Sequence, residues 1–300
     1  MLEVVIHGSD GIKAEFRNVP IPQPSDDEVL IKVVATDSNP KDWKAAMGSP
    51  VMSSVPPPMN QGDDIAGIVS SVGQNVLEFK PGDRVAAFHR MLKPGGSYAE
   101  YAIAPSRTTF HIPRNISFEE AATLPLSAMT AGLALYQNLE ITAPWARTSE
   151  PHPILIYGGA SAVGAFALQF ARLSGLDPII TVAGNGIEFV RSLNVTSHII
   201  DYRSEDVAIR VKDILNGRRL LHAFDAISSG GTWETILKAL GPNFAATRLD
   251  MVDPPSPIPE WPQGLKFSRT YVSSAYGEPH TYRNQDEADG DHDFAYMFYR

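Results

Sequence analysis

The sequence predicts an α/β protein in two parts: a β-rich first part, forming a partly open barrel or sandwich, followed by a doubly wound parallel sheet. Three observations predict this. Up to about residue 115, short apolar or alternating runs are separated by clusters of Pro, Gly and Asp, the texture of short strands and turns. From Ile154 onward, short apolar strands alternate with helical patterns, which reads as a parallel sheet covered on both faces. Between strand and helix, "LIYGGASAVGAFALQFARLSG" (Leu155–Gly175) runs an apolar strand straight into glycines and small residues.

In the first part, "MLEVVIHG", "DEVLIKVVATD", "DIAGIVSSVG" and "DRVAAFH" are the predicted strands, with turn clusters at 20–27, 53–64 and 80–83. The texture changes at Ser117. Ser117 with Glu120 three residues on is a capping box, and Pro125 interrupts the helix it opens. A second helix is predicted from Ser127 to Leu139, followed by a loop over 140–153. The alternation then begins. "ILIYG", "PIITVAG", "HIID", "HAFDAIS" and "NFAATRLDM" are strands; "AVGAFALQFARLSG", "GIEFVRSLN", "EDVAIRVKDILNG" and "GTWETILKALG" are helices. "KFSRTYVS" is a candidate sixth strand.

Composition excludes several classes. With 43% apolar residues the chain can fill a core, and a net charge of −9 opposes nucleic-acid binding. The absence of cysteine removes disulfides, thiolate catalysis and Cys-ligated zinc. No basic, then apolar leader opens the sequence and no run is long enough to span a bilayer, so a soluble cytoplasmic protein is expected, with no membrane partner.

The loop after "LIY" has glycines where a backbone must approach a phosphate, ahead of a helix N-terminus that favours anions. Gly158 and Gly159 end the strand, Ser161 offers a hydroxyl, and Ala162, Val163 and Gly164 open the helix. The spacing is G-G-x-S-x-x-G rather than G-x-G-x-x-G, so the loop alone also fits an ordinary tight βα turn. The repeating strand–helix pattern around it favours the dinucleotide reading. A site for NAD usually has an acid at the end of the second strand. Here Ala183, Gly184, Asn185 and Gly186 follow that strand, and no acid occurs before Glu188. NADP(H) is therefore the expected cofactor, although Asn185–Gly186 is also an ordinary turn pair.

Several ordered stretches then resemble one family: "SNPKDWKAAMG" (Ser38–Gly48), "GDDIAGIVSSVGQNVLEFKPGDRVAAF" (Gly62–Phe88), "GGSYAEYAIAP" (Gly95–Pro105), "AATLPLSAMTAGLAL" (Ala121–Leu135), the glycine loop and "IIDYRSED" (Ile199–Asp206). Together they resemble the medium-chain dehydrogenase/reductase superfamily in its zinc-independent, quinone-oxidoreductase-like branch, and within it the fungal trans-acting enoyl reductases of polyketide and toxin clusters. The resemblance implies a GroES-like catalytic barrel over residues 1–120 and a Rossmann domain with its linking helices over 121–275. The active site would lie in a cleft between the two. "GDD" stands where zinc-dependent relatives carry Gly-His-Glu. With no cysteine and no paired His spacing, a zinc site of that type is excluded on ligand grounds.

The resemblance also implies the residues. Lys44 and Thr130 are the candidate catalytic side chains, Lys44 for charge building on a carbonyl oxygen and Thr130 as a hydroxyl at the substrate. A solvated lysine and a packed helical threonine are the plainer alternatives. Lys41, Asp42 and Lys44 are assigned to the cofactor, with Asn39 and Asp42 holding the turn that aims Lys44. Tyr202, Ile227 and Leu249, after the third, fourth and fifth strands, are assigned to the nucleotide. Ser127, Ala128, Met129, Thr130, Ala131, Gly132, Leu133 and Ala134 are expected to line the substrate.

Relatives commonly return to the catalytic domain after the Rossmann domain, and the sequence shows no such segment. Residues 276–300 read instead as an exposed, mobile acidic and aromatic tail. The expected activity is NADPH-dependent reduction of a conjugated C=C bond, in a small-molecule enone or an acyl chain carried to a monomer or homodimer by a polyketide synthase. A quinone or small-enone reductase, and an inactive NADP-binding accessory protein, are the alternatives.

Overall fold

The computed structural model describes residues 1–7, 13–47, 59–146, 151–196, 198–279 and 285–300. The first part of the predicted turn cluster at 53–64 and residues 147–150 of the predicted loop lie outside them. The chain forms two compact units. The first comprises Met1–Leu126, Ser273–Glu278 and Gln285–Arg300; the second is built on Ser127–Val272.

In the first unit, β1 (Leu2–His7) and β2 (Lys13–Asn18) pair antiparallel. Strands β3 (Glu28–Ala35), β4 (Asp64–Val72), β5 (Arg84–Phe88), β6 (Tyr101–Pro105) and β7 (Thr109–His111) form an antiparallel sheet in the order β6-β3-β4-β5-β7. Helix α1 (Pro40–Ala46) lies between β3 and β4 in sequence, and α2 (Phe118–Ala122) follows β7. Alternation along β4 decides both faces. Ile65 packs with Val29, Ile31, Val85 and Ala102 on one side, while Ala66 meets Ala86, Ala121 and Ala122 on the other. The capping box at Ser117 forms as predicted, its hydroxyl accepting from the Glu120 amide at 3.1 Å.

Pro125 starts α3 (Pro125–Gly132), which continues as a π-helical turn over Leu133–Asn138. The second unit then alternates β8 (Ile154–Tyr157), α4 (Ala162–Leu173), β9 (Ile179–Ala183), α5 (Ile187–Ser192), β10 (His198–Asp201), α6 (Val207–Leu215), β11 (His222–Asp225), α7 (Thr232–Leu240), β12 (Arg248–Met251) and β13 (Lys266–Arg269). The six strands are parallel in the order β10-β9-β8-β11-β12-β13. One face is packed by Leu135, Leu168 and Val190 from the π turn, α4 and α5, the other by Val211 and Ile236 from α6 and α7. Strand order reverses at β8/β11, and in such sheets the crevice at the carboxyl ends there is where ligands bind.

The tail expectation is corrected. Residues Gln285–Phe298 form a fourteen-residue helix, α8, that belongs to the first unit. Ala288, Asp291, Phe294 and Ala295 are its buried positions, a 3–4 spacing that makes one inward face. Its acidic residues hide that stripe from a reading by composition. So the chain does return to the first unit, by a helix rather than by the expected strands. Among the described residues no helix is long and apolar enough to cross a membrane.

Candidate active site

The second unit gathers most of the predicted nucleotide residues at the carboxyl ends of β8, β9, β10 and β11. Gly158 has φ +90°, and a side chain there would strike Ile227. Gly164 lies so close to the Gly158 carbonyl that a Cβ would collide with it. The turn thus closes onto α4 only because both are glycine. Ser161 caps α4: its hydroxyl donates to the Gly158 carbonyl at 2.8 Å and accepts from the Gly164 amide at 3.0 Å. The hydroxyl is therefore engaged in shaping the loop. The amides of Ala162 and Val163, in the first turn of α4, have no carbonyl of their own helix to reach.

Beside this loop, Ala160 packs against Gly186, and the Tyr202 ring lies against Gly184. Tyr202 is 54% exposed, which leaves a ring surface available to a planar ligand. Arg203, which the sequence reading passed over, joins the group. Its Nε and Nη2 donate to Asp201 at 2.8 and 2.7 Å, and its Nη1 donates to the Asn185 side-chain oxygen. Arg203 holds the Asp201 carboxyl down at about 2. Across the sheet, the buried Asp225 carboxylate accepts from the Ile227 and Ser228 amides at 3.1 and 2.8 Å and from the Thr232 hydroxyl at 2.5 Å. It fixes the loop that brings Ile227 to Gly158. An acid at the end of an apolar strand, followed by Ser, Gly and Gly, was the available signal.

Leu249 is a correction. Leu249 is the second residue of β12, within the strand as in the predicted run "NFAATRLDM" and not beyond it. Its side chain is fully buried against α6 and α7 in the core. The segment Ser127–Ala134 is wholly buried in and after α3, and Ala131 and Ala134 belong to the core that α4 covers. A helix turns through all directions in 3.6 residues, so eight consecutive positions cannot share one face. Thr130 is 6% exposed.

In the first unit, the predicted "NPKD" turn forms: the Asn39 amide donates to Asp42 Oδ2 at 2.8 Å and the Asp42 amide to the Asn39 carbonyl at 3.0 Å. Lys44 follows in the last turn of α1, half-buried. Lys41 and Asp42, assigned to the cofactor by resemblance, are both engaged with protein partners. The Lys41 ammonium pairs with Asp63 and, at 2.9 Å, with Asp42, and donates to the Gln61 carbonyl at 2.5 Å. Burial alone would depress this ammonium, but Asp63 and Asp42 more than reverse that and hold it above the ordinary lysine range. Asp42 also accepts from the Tyr98 hydroxyl at 2.6 Å; burial, with Asp42 adding to it, pushes the phenol above its usual range.

Asp64, 1% exposed, has no lysine partner among the contacts of its carboxylate. Its oxygens accept from the Leu126 amide at 2.7 Å and the Asn39 side-chain amide at 2.5 Å. Burial nevertheless pushes it up to about 7. Two adjacent acids opening an apolar strand, "DDIAGIV", were the signal for this network, since buried carboxylates must be partnered. Among the described residues no group of three His, Cys, Asp or Glu side chains is gathered to hold a metal ion.

Comparison with known proteins places this geometry. The alcohol dehydrogenase GroES-like domain matches residues 25–114. A trans-enoyl reductase of Gibberella fujikuroi, fsr4, is 38% identical over 283 residues, spanning 92% of this chain and 81% of that protein. The chain belongs to the medium-chain dehydrogenase/reductase superfamily, among its trans-enoyl reductases. Two solved structures share the fold of this reductase. CurK enoyl reductase superposes with a TM-score of 0.78 at 21% identity, covering 99% of this chain and 87% of that one. Escherichia coli quinone oxidoreductase, solved with NADPH, superposes at 0.73 and 22% identity, with 99% and 87% coverage. The GroES-like domain of the superfamily thus corresponds to the antiparallel unit, and its Rossmann domain to the parallel one.

Proposed function

We propose that this reductase uses NADPH to reduce the C=C bond of an α,β-unsaturated acyl thioester delivered by a polyketide synthase carrier, as part of secondary metabolism in the cytoplasm. The observation that carries this reading is the cradle made by Gly158–Gly164, roofed by Ile227 and bordered by Gly184, Asn185, Tyr202 and Arg203. Its glycines let the turn close tightly onto the start of α4, with Ser161 capping the helix, and so bring the helix N-terminus to the carboxyl end of β8, an arrangement that suits the diphosphate of a dinucleotide. The G. fujikuroi relative, named a trans-enoyl reductase, supports the acyl substrate. The Escherichia coli structure with NADPH supports the cofactor.

The first-turn amides of α4, at Ala162 and Val163, would hold the diphosphate, and Tyr202 the adenosine end. Arg203 favours a 2′-phosphate, and the stretch after β9 has no acid before Glu188 to repel one. When bound, NADPH supplies the hydride. Reduction at the β-carbon builds enolate charge on the thioester oxygen, which the Lys44 ammonium stabilises. The α-carbon then takes a proton, and the Thr130 hydroxyl is assigned to orient the acyl carbonyl.

Titration of the purified protein with NADPH and NADH, followed by turnover on carrier-bound enoyl thioesters and on free quinones, tests this. NADPH binding tighter than NADH and turnover of the thioesters are expected. Turnover of quinones alone would replace the acyl reading with a quinone reductase, and no affinity for either nucleotide would overturn both.

A further inference from the structure

The first turn of α3 is held by two side chains from distant parts of the sequence. Pro125 has no amide hydrogen, so Leu126 carries the first donor of this helix. Asp64, at the start of β4, accepts that donor at 2.7 Å and so caps α3 from outside, while its other oxygen ties down Asn39 ahead of α1. On the preceding residue, the Pro125 carbonyl accepts from the Tyr299 hydroxyl at 2.5 Å. The Tyr299 ring stacks on Phe110, with centroids 5.1 Å apart and planes at 13°.

The segment carrying Tyr299 is itself pinned. Arg300 pairs with Glu78 and donates to the Thr109 carbonyl at 3.1 Å, Arg107 pairs with Asp293 at 2.8 Å, and the Tyr296 hydroxyl donates to Glu78 at 2.9 Å. The amide of one residue and the carbonyl of its neighbour are thus fixed at the point where α3 begins. The same helix carries Thr130 four to five residues further on, where a small rotation of the first turn displaces the hydroxyl along with the backbone.

We infer that Asp64 and Tyr299 are positioning residues for the substrate segment at Ser127–Ala134, with Asp64 setting the helix start and Tyr299 locking it from α8. This rests on the acyl-substrate reading above. The clean variant is Tyr299→Phe, which removes one hydroxyl and keeps the stacked ring; Asp64→Asn is its companion. Amide hydrogen exchange is followed over residues 121–134, with 65–72 in β4 as the internal control, alongside NADPH affinity and kcat and KM for an enoyl thioester.

The expected result is exchange about tenfold faster at 121–134 with β4 unchanged, NADPH affinity unchanged, and kcat/KM lowered about tenfold, the scale of one lost hydrogen bond. Unchanged exchange in Tyr299→Phe overturns the grip. Faster exchange with unchanged kcat and KM overturns the positioning role. Wild-type protein inert toward thioesters overturns the functional reading, and the substrate role with it, while the exchange data still report on the grip.

Discussion

The nucleotide cradle and the polar cluster around α1 do different work with different parts of the residue. In the cradle, the contacts that matter are backbone contacts, and glycines create them by leaving out atoms at 158 and 164. Around α1, the contacts are between side chains: Lys41 with Asp63, Asp42 with Tyr98, Asp64 with Asn39 and Leu126. One region tolerates no added carbon. The other tolerates no missing partner. That contrast separates the expected failures, because damage to the cradle lowers nucleotide affinity along with some stability, whereas damage to the cluster lowers stability first.

Lys41→Ala tests the contrast most severely. It leaves Asp63, 1% exposed, without its counter-charge, and should cost about 3–5 kcal/mol in urea unfolding. A loss below about 1 kcal/mol would mean that the pair is not needed to carry the buried charge. Next is Gly164→Val, whose side chain meets the Gly158 carbonyl. Nucleotide affinity should fall more than about 100-fold, and because Gly164 is buried against the Gly158 backbone, urea unfolding should lose about 1–3 kcal/mol as well. Equal affinity would show that the cradle is not the binding site.

The third is a pH dependence. Asp64 titrates near 7 when folded, whereas an unfolded carboxyl titrates near 4. Between those values the folded state holds a proton that the unfolded chain has released. Stability therefore falls as pH rises through this window and levels off above it, by a few kcal/mol at most. Comparing wild type with Asp64→Asn at pH 5 and pH 8 isolates the group, and a wild type that gains on the variant toward pH 8 would refute the assignment.

Smaller effects sharpen the picture within the cradle. Arg203→Ala should weaken NADPH about tenfold and leave NADH nearly unchanged, because only the former carries the 2′-phosphate. An equal loss for both would assign Arg203 to loop structure instead. Ser161→Ala removes the cap of α4 and should lower stability by about 1 kcal/mol, read as a shift in the urea midpoint.

Much of this molecule was legible in order of residues. The capping box at Ser117, the break at Pro125 and the five strands from Ile154 onward follow from local periodicity and from Pro and Gly stereochemistry. The cradle was legible for the same reason: its glycines are constrained by atoms only a few residues away. Leu249 was assigned to the nucleotide by resemblance alone, although the predicted strand "NFAATRLDM" already contained it. α8 was misread because acidic residues outnumber the stripe that buries it.

By itself, then, the sequence determined the strand–helix alternation of the parallel sheet, four of the seven strands of the first unit and the glycine turn after β8, since each depends on interactions between near neighbours in the chain. Only the tertiary structure decided that Lys41 faces Asp63, that Arg203 reaches Asn185, and that Tyr299 meets Pro125. Those pairings join residues 18 to 174 positions apart. A buried charge or hydroxyl takes whichever partner the packed core brings within about 3 Å, and no local pattern records that choice.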